Sequence, residues 1–162
     1  MSWKIQIIRA KPNPVGKDKA RNSPLAAQLL GEWVDLKNVG DGGVSCSTLH
    51  LSHSEFGPGC AKREQPQIYW NGQPVTINVG EIARVHTGRS ADSWQMAQTD
   101  REGVHHHFFA EKGSFALNND CGDELAVWWK GSDDQWHRED LASYRPHPVE
   151  GKILQRVAGG LV

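Results

Sequence analysis

Along residues 32–38 the apolar Val34 and Leu36 alternate with the charged Asp35 and Lys37, and Trp33 falls on the opposite face. This two-residue period marks a strand with one buried face. Asp41-Gly42-Gly43 follows, residues that tolerate the positive φ of a tight reversal, so residues 31–56 are expected to form a hairpin. In the returning strand Val44 and Cys46 share one parity while Leu49 and Leu51 share the other. A bulge near Ser47-Thr48 would bring all four to the core.

The remaining chain reads as short strands and turns. Residues 3–8 suit a first strand, ended by Lys11-Pro12-Asn13-Pro14, and residues 25–30 fit either one helical turn or an extended approach. After an aperiodic loop over 57–66, segments 67–70 and 73–77 flank Asn71-Gly72, the pair that favours a type I′ hairpin. Val79-Gly80 predicts another reversal, followed by a strand over 81–87 with Ala83 and Val85 on one face. Residues 89–112 keep no period, and a loop of that length is usually functional or disordered.

Strands are expected again at 114–117 and 124–129 around the turn-forming run 118–123, and at 136–144, with Ile153, Leu154 and Val157 docking as an edge segment. Many short strands without a long helical period predict an all-β sandwich of antiparallel strands. Val34, Leu36, Cys46, Leu51, Leu117, Leu125 and Val127 are the expected core.

The 162 residues suit one domain, with a core over 31–144, an N-terminal strand and basic arm over 1–30 and a tail over 145–162. No apolar run approaches the roughly 20 residues of a membrane helix, and residues 1–8 lack a secretory pattern, so a cytoplasmic location and no membrane partner are expected. Three cysteines, Cys46, Cys60 and Cys121, are an odd number without metal-ligand spacing, which predicts reduced thiols. A net charge of -1 offers nucleic acid no global attraction. Residues 1–24 nevertheless hold six basic side chains against Asp18 alone, either a solvated arm or a phosphate-binding one.

In residues 31–144 the chain resembles the lamin-tail domain, the immunoglobulin-like sandwich of nuclear lamins that also occurs in bacterial proteins. The matching pieces are Glu32-Trp33-Val34-Asp35-Leu36-Lys37-Asn38, the strand over 44–52, Gly80-Glu81 with the strand after it, Phe115-Ala116-Leu117-Asn118-Asn119 through Gly122-Asp123 to Val127, and residues 140–144. It departs from the family pattern at Cys46, Thr48, Val79 and Ala83, where Leu, Gly, Pro and a larger apolar residue are usual. The resemblance implies an immunoglobulin-like fold, no catalytic constellation and no cofactor, and a role as an interaction or tethering module.

Among chemistry-bearing residues, His105-His106-His107 with His53, His86 and Cys60 could in principle supply zinc ligands, giving a metal-binding protein or metal-dependent enzyme as the alternative function. The carboxylates Asp120, Asp123 and Glu124 could draw calcium, although Asx residues belong in such a turn anyway. No nucleophile elbow, phosphate loop or His-Glu-x-x-His helix is present, so no enzyme is expected. Trp128-Trp129 sends one indole inward and one outward, either under a loop or as a ligand platform. A protein partner is expected at loops or a sheet edge, with Trp94, Met96, His106, Phe108 and Phe109 as the binding residues, because interface cores favour aromatics and Met. The competing reading places Phe108 and Phe109 in a strand, each burying its ring.

Overall fold

A computed structural model describes residues 4–20 and 22–162. The chain is mostly β, in the order β1 (Ile5–Lys11), β2 (Trp33–Asn38), β3 (Val44–Ser45), β4 (Leu49–His53), β5 (Gln67–Trp70), β6 (Thr76–Ile77), β7 (Ile82–His86), β8 (His106–Phe109), β9 (Asp123–Lys130), β10 (Trp136–Tyr144), β11 (Leu154–Val157) and β12 (Gly160–Leu161). Two short helices, α1 (Ala26–Gly31) and α2 (Gln98–Arg101), lie between them. No helix among the described residues is long and apolar enough to cross a membrane.

Ten strands form one sheet in the order β5-β4-β9-β10-β12-β11-β1-β2-β7-β8, antiparallel except for β10/β12 and β7/β8, while β3 and β6 make a separate ladder. The sheet curls nearly to a barrel. Trp70 on one edge strand stacks on Phe108 of the other with ring centroids 5.4 Å apart, so the two edges approach each other across the core. Inside lie Ile5, Ile7, Val34, Leu36, Leu51 and Leu125 among others, and all seven core residues expected from the alternation are buried.

Most strand positions were legible, but several pairings were not. Residues 31–56 do not form a hairpin: β2 pairs with β1 and β7, whereas β4 pairs with β5 and β9. Asn38 instead turns the chain outward, its side-chain amide donating to Gly42 O and Ile77 O while its oxygen accepts from Gly40 N. The parity change between Cys46 and Leu49 is made by a 3-10 turn, Cys46–Thr48, rather than by a bulge. Asn71-Gly72 is not a type I′ hairpin either, since only Gly72 has positive φ and β5 and β6 pair with different strands. Glycine is required there for close approach: a Cβ would collide with the carbonyl oxygens of Cys46 and Leu49.

Val79-Gly80 does reverse the chain, with Glu81 N donating to Asn78 O across the turn and Gly80 at φ +83. Of the two readings of residues 25–30, the helical one is observed, as α1 over Ala26–Gly31. The expected strand at 114–117 is irregular chain. The tail is no sheet edge, because β11 and β12 are the strands that join β1 to β10. Arg156 of β11 locks that junction, its guanidinium reaching both Asp140 carboxylate oxygens and Ile7 O.

The basic arm is partly engaged by the fold, with Lys4 and Lys19 left exposed. Arg9 pairs with Asp35, Lys11 with Asp100, and Lys17 with Glu32. Arg21 lies outside the described residues.

Candidate functional site

Most ionisable groups are consumed in holding the fold. Lys17 Nζ donates to Pro12 O, Leu117 O and Glu32 Oε2, and the fully buried Glu32 also accepts from the Thr87 hydroxyl and from Ala116 N. A buried charge is stable only when paired and hydrogen-bonded, a condition met here on both sides. The 230 Å³ pocket beside Lys17 therefore offers no free ammonium. On β2, the side expected to face solvent is buried too: Asp35 takes Arg84 through two bonds of 2.7 and 2.8 Å, and the Arg84 guanidinium lies 3.6 Å over the Trp33 ring.

The cover over that face is the segment 89–112. It folds as a 3-10 stretch (Ser90–Gln95), α2 and β8 rather than as a free loop. Asp100 accepts from Lys11 Nζ and from the Trp33 indole, and Arg84 bonds the carbonyls of Asp100 and Glu102, so the segment is tied down by charge. Of the residues expected to bind a partner there, Met96 and Phe108 are buried and Phe109 stacks on His86, while His106 is half-buried and bonded to Glu81. Only Trp94 stands out, 77% exposed. The strand reading of Phe108 and Phe109 describes the segment better, although Phe109 is only half-buried.

The histidines do not converge on a metal. His105 accepts from Ile82 N, and the bond from His106 holds the Glu81 carboxyl below its usual range. His86 donates through Nδ1 to Leu30 O, and its Nε2 meets His107 Nδ1 at 2.8 Å. Burial pushes His86 down to about 3, with the charges of His107 and Arg84 acting in the same direction. His53 is bonded to Asp123. Among the described residues no group of three or more His, Cys, Asp or Glu is placed to hold a metal ion. The Asp123 carboxylate, expected as a calcium candidate, accepts from the backbone N–H of Ser54, Asn118 and Glu124 instead.

Cys60 and Cys121 form a disulfide, which corrects the expectation of three reduced thiols. The odd count arises because Cys46 is a core residue, its thiol pushed up to about 12 by burial and thus inert. The bond pins the loop after β4 to the chain just before β9. That loop is further held by the Phe56–Lys62 bridge, by Arg63 N donating to Glu55 O, and by the Lys62–Glu124 ion pair.

This pinned loop forms one wall of a groove on the outer face of β4, β9 and β10. Alternation sends Leu49, Leu51, Leu125 and Val127 inward, leaving His50, Ser52, Ala126 and Trp128 outward. His50, Trp128 and Arg138 stand side by side across the three strands. A bulge between Arg138 and Asp140 shifts the parity of β10, so that Leu141 joins Arg138 on the groove side. The groove has a polar half of about 380 Å³ and an aromatic half of about 300 Å³, and Gln65, Pro66 and Trp128 line both.

Its two indoles are held in place. Trp128 donates its N–H to Ser52 Oγ at 2.8 Å, and Trp136 stacks on His50 with centroids 3.6 Å apart, leaving Trp136 40% exposed. Burial and the Lys130 charge lower the pKa of His50, favouring the neutral ring in that stack. No protein-family model and no curated protein matches this chain. Trp128 was recognised in the sequence as one of two indoles of opposite parity. Trp136 and the wall were not, because they depend on the bulge and the disulfide.

Proposed function

We propose that this protein is a non-catalytic binding module whose recognition surface is the groove floored by Trp128 and Trp136. The carrying observation is that these two indoles are fixed by neighbours and yet open to solvent, beside a loop wall stapled by Cys60–Cys121. A preformed surface loses little entropy on binding. The buried ion pairs and histidines, in contrast, are engaged by the fold itself, which favours binding over metal chemistry.

The immunoglobulin-like, lamin-tail-related description belongs to the same proposal. Its support is that Trp33–Asn38, Leu49–His53, Ile82–His86, Asp123–Lys130 and Trp136–Tyr144 are all strands within or beside the segments of resemblance. The disulfide favours an oxidising compartment over the cytoplasm, since such bonds persist where thiols are not kept reduced. A protein partner at the 89–112 segment would have Trp94 as its main exposed anchor.

Immobilised protein and its Trp136→Ala and Trp94→Ala variants, exposed to the same purified candidate ligands, separate these surfaces. Retention lost with Trp136→Ala and kept with Trp94→Ala is the expected result; the reverse pattern places recognition on the 89–112 segment.

A further inference from the structure

Resting on the groove reading above, we propose that the ligand is an acidic carbohydrate, a chain of pyranose rings bearing carboxylates. The floor of the groove excludes one common mode of peptide recognition. β4 lies between β5 and β9, and β9 between β4 and β10, so their backbone groups are spent on neighbouring strands and neither offers an edge to an added strand. A ligand lying over β4 and β9 meets side chains only.

Those side chains alternate between flat apolar surface and hydrogen-bonding groups. Trp128 and Trp136 line the aromatic half, and the negative quadrupole of an indole face attracts the C–H groups on the apolar face of a sugar. Gln65, exposed on the wall, stands beside them as a partner for hydroxyl groups on the sugar's rim, while the buried Ser52 holds the Trp128 indole. A groove with aromatic surface and a few placed polar groups is the general form of a small-ligand site.

Charge selects the acidic kind. The Arg138 side chain has no hydrogen-bond or ion-pair partner among the described residues, although it stands directly across from Trp128. The Arg63 side chain on the wall likewise has no partner among the described residues and shares the groove with Glu64, while Lys62 and Glu124 neutralise each other. Lys130, at the aromatic end, is paired with Asp134. The unanswered guanidinium of Arg138 has the planar fork that takes a carboxylate through two parallel bonds.

The test titrates the intact, oxidised protein with oligogalacturonate and oligoglucuronate, with the methyl ester of each, and with oligoglutamate, following heat and tryptophan fluorescence. Binding of at least one uronate is expected, with its ester about tenfold weaker, as loss of one charge-assisted contact implies. Arg138→Met should weaken the acid by the same factor and leave the ester unchanged, and Trp136→Ala should weaken both. Both positions are exposed, so their variants are expected to fold.

Equal affinity for acid and ester, or failure of every saccharide, overturns the proposal. Oligoglutamate binding in preference to the uronates overturns it too, but leaves the groove reading standing if Trp136→Ala abolishes that binding. Saccharide binding unaffected by both substitutions overturns the groove reading itself.

Discussion

At the scale of single residues, buried charge governs. Lys17→Met would leave Glu32 buried without its cation, and breaking such a pair costs roughly 3–5 kcal/mol. Chemical denaturation measures this directly, and an unchanged midpoint would show that the pair does not stabilise the fold. His86 predicts the pH response. Its folded pKa of about 3 lies below the unfolded value of 6.5, so the unfolded chain takes up the proton first. Stability is therefore full above about pH 6.5 and falls by up to about 1.4 kcal/mol per unit as the pH drops toward 3. Denaturation at several pH values should show that slope, and His86→Gln should flatten it. The Lys17–Glu32 pair was not legible in the sequence, because the two meet only after the strands have assembled. His86 reads in the sequence as a metal-ligand candidate alongside the histidine run, rather than as a hydrogen-bond partner of His107.

At the scale of elements, local pattern gave strands and missed their partners. The alternation of Val34 with Leu36 and of Leu125 with Val127 marks β2 and β9 without reference to anything distant. Pairing is a non-local choice, and glycine misled it: Gly42-Gly43 and Gly72 signal turns, yet the structure uses Gly72 for close approach to the 46–49 carbonyls. Once β2 is paired wrongly with the 44–52 strand, the neighbourhood of β4 and β9 is hidden, and with it the Cys60–Cys121 bond across their shared end. That bond closes a separation of 61 residues, and its removal in Cys60→Ser with Cys121→Ser should cost about 2–4 kcal/mol and loosen the groove wall. A thiol count on unfolded, unreduced protein should find one free group, that of Cys46; three would contradict the disulfide.

At the scale of the whole molecule, a single curled sheet encloses one core, and its two faces have different uses. The inner face carries stability: Leu36→Ala should cost roughly 2–5 kcal/mol in a denaturant titration, as a fully buried truncation does. The outer face of β1, β2 and β7 is sealed by the 89–112 segment, where the sequence placed the binding residues. The outer face of β4, β9 and β10 is left open under a stapled wall. That division could not be read from composition or period, because the same aromatic and basic residue types lie on both sides. Selective labelling of the tryptophan indoles, followed by nuclear magnetic resonance during titration with the tightest-binding uronate, tests the central claim. Shifts concentrated at Trp128 and Trp136, with Trp94 unmoved, are the predicted result; shifts at Trp94 with Trp128 and Trp136 unmoved would contradict it.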